Sequence, residues 1–201
     1  GSDAWPASDY LNFWVGDLGG GLLGYAQFPG GAAATDGIVC AYPNVGLNGP
    51  GAGIYNLGRT ATHEVGHWLN LRHIWGDGGC GVDDFVADTP ESDGANYNCD
   101  LGSSSCGSVD MVQNYMDYSS DLCMNLFTQG QSDRMAATFA PGGARHSLLS
   151  SMGCVPATPD FDLDASILNV ISPSGFFCAT DVIPEITIFN NGGDVLTSLD
   201  I

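Results

Sequence analysis

The stretch "TATHEVGHWLNLRHIWGD", residues 60–77, holds three of the four histidines in the chain, at positions 63, 67 and 73, with Glu64 directly after the first. On a helix, a spacing of four is roughly 400° of rotation. The rings of His63 and His67 therefore leave one face about 6 Å apart along the axis. There a single zinc ion accepts both imidazole nitrogens at about 2.0–2.1 Å. Glu64, roughly 100° round from His63, flanks that position as a general base on zinc-bound water. His73 is the harder case: on a continuing helix it would sit about 240° round from His67 and face away. A third ligand therefore requires a sharp turn after about Leu69. Helices that end this way do so on a left-handed residue, usually Gly and sometimes Asn, and Asn70 stands at that point. Asn70 is read as the helix stop, and three protein ligands leave a coordination position open for water, as catalytic zinc sites do. Two histidines on a helix are otherwise as ordinary in a core or on a surface as at a metal.

"HEVGHWLNLRH" resembles the long zinc signature HExxHxxGxxH of the metzincin metallopeptidases, with Asn70 where the signature has Gly. "NYMDY" at 114–118 is similar to their Met-turn. Together with "HIWGD", "VADTP" and "CMNLFTQGQ", the resemblance is closest to the bacterial pappalysin group, the cytophagalysin and ulilysin type, over roughly residues 3–153. It implies an α+β catalytic domain with a twisted mixed sheet, an active-site helix and an irregular lower half stapled by disulfides. It makes His63, His67 and His73 the zinc ligands, Glu64 the base, Met116 the apolar floor beneath the metal, and Tyr118 a stabiliser of the tetrahedral oxyanion. Without the resemblance, Met116 reads as core and Tyr118 as a surface aromatic.

Composition sets the surroundings. Against 23 acidic residues there are four arginines and no lysine, a formal net charge of -19, which argues against nucleic acid and anionic membranes as partners. No apolar run is long enough to span a bilayer. Seven cysteines with no CxxC pair favour disulfides in an exported protein. Gly1-Ser2 reads as an expression scar or an internal cut, with the natural start upstream; the sequence does not show a pro-segment, but one is expected in the precursor.

Along the chain, strands are expected at 10–15, 22–28 and 36–42, the second of them a candidate edge for extended substrate. Helices are expected from about Leu57 to Leu69 and over 129–139, with a short helical piece at "RHSLLSSM". Residues 76–108 show little periodicity. Two prolines in "CVPATPDFD" mark a linker at 154–160 after a catalytic domain of residues 1–153. Segments "ASILNVI", "EITIFNN" and "VLTSLDI" beyond it read as strands of a truncated immunoglobulin-like β-sandwich module over 161–201, since three strands cannot close a sandwich.

In the loop "GVDDFVADTP", Asp83, Asp84, Asp88 and Thr89 gather hard oxygens that suit calcium, without EF-hand spacing; spacing alone favours an ordinary acidic loop, and it is the resemblance that implies calcium in this region. Cys80, Cys99, Cys106 and Cys123 allow three pairings, of which the resemblance favours Cys80–Cys106 with Cys99–Cys123, leaving Cys40, Cys154 and Cys178 unassigned. Some relatives cut beside Arg or Lys using an acid near the last of these cysteines, where this chain has Asp121 and Leu122. The expectation is a secreted zinc-dependent endopeptidase that cleaves protein or peptide substrates with a Glu-activated, zinc-bound water. The competing class is a catalytically impaired secreted zinc- or calcium-binding or adhesion protein.

Overall fold

The computed structural model describes residues 3–49, 53–154, 162–172 and 183–198. The chain divides into two compact units, residues 1–153 and 154–201. In the first unit, β1 (Asn12–Gly16), β2 (Gly24–Ala26) and β3 (Gly37–Ala41) form a mixed sheet in the order β1-β3-β2. β3 is central, parallel to β1 and antiparallel to β2. Its sequence GIVCA is apolar throughout and four of its five residues are buried, as expected of a strand covered on both faces. The strand expected at 22–28 is confined to 24–26, because glycines 19, 20 and 21 before it adopt positive φ and form the turn.

α1 (Arg59–Trp68) packs against β3 and β2. No side chain at its own N-terminus caps it. The Asp121 Oδ2 accepts instead from the backbone N–H groups of Leu57 (2.7 Å) and Arg59 (3.2 Å), so a carboxylate from beyond the Met-turn satisfies the orphan donors. α2 (Gln129–Ala137) opens with a capping box between Thr128 and Gln131 and ends before residue 139, the expected limit. A two-residue hairpin, β4 (Ser104–Ser105) with β5 (Ser108–Val109), interrupts the irregular region. Disulfides Cys80–Cys106 and Cys99–Cys123 interleave across that region. Cys40 is a buried free thiol, held up at a pKa of about 12 by burial and by the nearby Glu64 carboxylate. The core beneath the zinc-signature helix comprises Leu71, Ile74, Trp75 and Met116, with Tyr118, Phe127 and Met135 against it.

In the second unit, β6 (Ala165–Ser172) and β7 (Glu185–Asn190) pair antiparallel with two irregularities of register. Residues 195–198 of the third expected strand are not strand: turn residues Asn191–Asp194 fold back onto Asp162 and Asp164 instead. Residues 199–201, Cys178 and most of the expected linker lie outside the described residues.

Candidate active site

α1 delivers His63, Glu64 and His67 from one buried face. The helix then stops as the sequence expects a left-handed residue to stop it. Asn70 has φ 75, its N–H donates to the His67 carbonyl at 2.9 Å, and the Leu71 N–H donates to the Gly66 carbonyl at 2.9 Å. This pair of bonds is a Schellman ending, and it swings His73 back to the helix. The His67 Nε2 lies 3.0 Å from the His63 Nε2 and 3.1 Å from the His73 Nε2. Among the described residues this is the one cluster of three or more His, Cys, Asp or Glu able to hold a metal ion.

The opposite nitrogen of each ring is anchored. Nδ1 of His63 donates to the Tyr115 carbonyl (2.7 Å), Nδ1 of His67 to the Leu71 carbonyl (2.8 Å), and Nδ1 of His73 to the Asp77 carboxylate (2.5 Å). With Nδ1 donating, each Nε2 lone pair points into the cluster, the arrangement that metal-ligating histidines use. Burial, then the neighbouring imidazoles, lower His63 to about 3 and His67 to about 4. Both are thus neutral, the form that binds metal. The donor set and its orientation fit zinc.

Glu64 is 5% exposed, and its Oε2 is buried without a hydrogen-bond partner. Burial raises its pKa to about 8. Gly24 on β2 makes room for this carboxylate, since a Cβ there would meet Oε1 at 2.8 Å. Met116 is fully buried under the helix, and a Cβ on Gly66 would meet its Sδ at 2.4 Å. The Met-turn is held by a buried amide pair: Gln131 and Asn114 exchange two hydrogen bonds of 2.8 and 3.0 Å, and the Asn114 Oδ1 accepts from the Met116 N–H. The Tyr118 ring packs between His63 (centroids 5.5 Å), His73 (4.8 Å) and Trp75 (4.9 Å). Burial, ahead of the nearby Asp77 and Glu64 charges, raises its pKa, so it remains a hydroxyl donor. Trp75 stacks flat on His73 at 4.3 Å.

The structure divides the four calcium candidates. Asp88 turns to the start of α2, accepting from the Thr128 hydroxyl (2.7 Å) and the Gly130 N–H (2.9 Å). Asp83 is exposed and accepts from the Phe85 N–H. Asp84 is buried with Thr89, whose hydroxyl oxygen lies 3.0 and 2.9 Å from the two carboxylate oxygens and 2.7 Å from the Val86 carbonyl. One hydroxyl proton faces three acceptors there.

The three histidines, Glu64 and Tyr118 open onto a cavity of about 520 Å³ between β2 and α1, with Tyr55, Arg59, Tyr97, Asp117, Asp121 and Met124 completing its wall. The sequence reading assigned no role to Gly24, Asp77, Asn114 or Gln131. Asp77 lay within the quoted "HIWGD", and its place four residues after His73 was the available signal; Asn114 and Gln131 lay within the quoted "NYMDY" and "CMNLFTQGQ", but their pairing is tertiary, and nothing local marked Gly24.

A family model described as "Pregnancy-associated plasma protein-A", Peptidase_M43, matches residues 1–140. The chain belongs to this metallopeptidase family. It is 44% identical over 133 residues to "Extracellular metalloprotease 1" of Coccidioides posadasii, covering 62% of this chain and 47% of the relative. Over 140 residues it is 41% identical to "Extracellular metalloprotease" of Arthroderma benhamiae, covering 67% and 52%. Mature mirolysin of Tannerella forsythia, solved with a cleaved peptide, aligns with TM-score 0.70 and 48% identity over 74% of this chain and 59% of that one. A promirolysin mutant aligns with TM-score 0.69 and 47% identity. The chain spans about half the length of the curated relatives it matches. Family, mixed sheet and interleaved disulfides agree with the metallopeptidase resemblance read from residues 60–77 and 114–118. No helix among the described residues is long and apolar enough to cross a membrane.

Proposed function

We propose that this chain carries the catalytic machinery of a secreted zinc-dependent endopeptidase. The carrying observation is the convergence of three outward-anchored imidazole Nε2 atoms beside a buried, unpartnered Glu64 carboxylate in a cleft wall. His63, His67 and His73 would hold the zinc, which when bound supplies Lewis acidity, lowering the pKa of a water and polarising the scissile carbonyl. Glu64 takes the proton of the attacking water and returns it to the leaving amine. The Tyr118 hydroxyl donates to the developing oxyanion. Met116 floors the site, and the free edge of β2 pairs with extended substrate. In a zinc-loaded protein, Glu64→Ala should abolish casein cleavage while zinc stays bound, and 1,10-phenanthroline should abolish wild-type cleavage. Full activity in zinc-loaded Glu64→Ala would overturn the assignment.

Asp121 supports a preference for basic side chains: its Oδ1 is buried without a partner in the cavity wall while Oδ2 caps α1. Calcium is proposed at Asp84, Thr89 and the Val86 carbonyl, where oxygens outnumber protons. A calcium-dependent rise in melting temperature at fixed zinc tests it. Secretion and a pro-segment are proposed by analogy with the relatives, which are named extracellular metalloproteases and promirolysin. The β6–β7 pair is proposed as the start of an immunoglobulin-like module after a linker at 154–160.

A further inference from the structure

The chain has four cations, and three of them are engaged. Arg145 is buried on Asp36 and on the Trp68 carbonyl, Arg134 donates to the Asn70 carbonyl at 2.7 Å, and Arg72 lies over the Phe85 ring on the surface. Arg59 differs. It stands at the first position of α1, one turn before His63 and therefore on the same face, and it lines the catalytic cavity. Its guanidinium lies over Tyr115, 5.6 Å from the ring centroid. Its Nε is buried with no acceptor, and the described residues form ion pairs only at His73–Asp77 and Arg145–Asp36. Of the four arginines it alone has a buried nitrogen left without an acceptor among the described residues.

Beside it, Asp121 takes the Arg59 backbone N–H on Oδ2 and leaves Oδ1 without a donor. The cavity-lining residues Arg59 and Asp121 thus each carry a buried polar atom, the Nε and the Oδ1, without a hydrogen-bond partner. Arg carries five fixed donors suited to bidentate carboxylate recognition, and a charge-assisted bond formed away from water is stronger than a neutral one.

We propose that Arg59 is a specificity-determining residue that receives a carboxylate of the bound peptide close to the side chain reaching Asp121. This rests on the peptidase reading above. The carboxylate has two sources, an Asp or Glu side chain or a free peptide C-terminus, and the test separates them. Wild-type protein loaded with zinc is given matched peptides that carry Glu or Gln at each of the positions flanking the scissile bond, all amidated at the C-terminus. A second pair differs only in a free or amidated C-terminus just beyond that bond. A charged hydrogen bond of about 1.5–3 kcal/mol corresponds to a preference of roughly 10- to 150-fold, read mainly in KM. Glu over Gln at one position identifies a side-chain subsite; free over amidated identifies a C-terminal one. Arg59→Gln should bring the preferred ratio close to one, and Arg59→Lys should restore part of it. Two results overturn the proposal while the peptidase reading stands: wild-type cleavage that ignores both substitutions, or a ratio that survives Arg59→Gln. No cleavage of any peptide removes the peptidase reading, and the subsite with it.

Discussion

Asn70 allows the ligand geometry to be tested through backbone conformation alone. It sits at φ 75, and the bonds that shape the turn run through backbone groups: its own N–H to His67, the Leu71 N–H to Gly66, and its carbonyl to the Arg134 Nε. Changing its side chain therefore leaves those bonds in place and alters the conformational preference. An alanine in the left-handed region costs roughly 1–2 kcal/mol, while glycine takes that region freely but loses more entropy on folding. In protein stripped of metal by a chelator, Asn70→Ala should lose about 1 kcal/mol in urea unfolding, or about 2–4 °C in melting temperature for a chain of this size. Asn70→Gly should stay close to wild type. Zinc adds a second readout, because a turn relaxed out of the left-handed region no longer delivers His73. If the same 1–2 kcal/mol falls on metal binding, competition with a chromophoric chelator should show zinc affinity about 5- to 30-fold weaker for Asn70→Ala. Alanine matching glycine in both measurements would refute the claim that this residue is what turns the chain toward the third ligand.

Gly24→Ala should sharply lower peptidase turnover with zinc affinity retained, because the new Cβ lands on Glu64 Oε1 and on the Val39 carbonyl; unchanged turnover by fluorogenic peptide assay would count against it. Gly66→Ala forces a methyl into Met116 Sδ, and denaturant unfolding should show a loss of about 1–3 kcal/mol, typical of overpacking. Arg145→Met leaves Asp36 buried without its cation, and unfolding should register about 3–5 kcal/mol of destabilisation. A Cys40 pKa raised from 9.0 to about 12 means about a thousandfold less thiolate at pH 8, so the native protein should resist alkylation of Cys40, which should appear only after unfolding; rapid native labelling would contradict its burial.

The parts of the site legible in the sequence were those written in short spacings. The four-residue interval of His63 and His67 and the stop at Asn70 each express a local rule of helix geometry, and the return of His73 to the other two rings follows from the two together. The acidic loop at 83–89 shows where such reading stops. Asp83, Asp84 and Asp88 look equivalent as a run of acids, yet Asp88 caps α2, forty residues later in the chain, and only Asp84 stays with Thr89. Competing uses for a carboxylate are tertiary and leave no local mark. The same holds for Asn114 with Gln131 and for Asp121 at the start of α1. Strand 22–28 is shorter than its apolar residues suggest, although single hydrogen bonds at Leu23 and Gln27 still join its flanks to Ala41 and Gly37.

The cations make the general point most sharply. Counted, they suggest only a surface of solvated acids. Placed, two of the four hold the C-terminal end of the zinc helix: Arg145 on the Trp68 carbonyl, and Arg134 on the Asn70 carbonyl. The Trp68 carbonyl is among those a helix leaves without partners, and the Asn70 carbonyl belongs to the left-handed turn just past the helix end, where the dipole still favours positive charge. Arg145 is itself fixed from three sides, by Asp36, by the Trp68 ring 3.9 Å from its guanidinium carbon, and by that carbonyl, while the Trp68 Nε1 donates to the same Asp36. Asp36 directly precedes β3, so one buried knot joins the central strand, the end of the ligand helix and the segment after α2. The bend that carries His73 is thus braced by Arg134 at the turn itself and by Arg145 one step before it. Two of the four arginines of this acidic chain are therefore engaged in holding the turn that sets the position of His73.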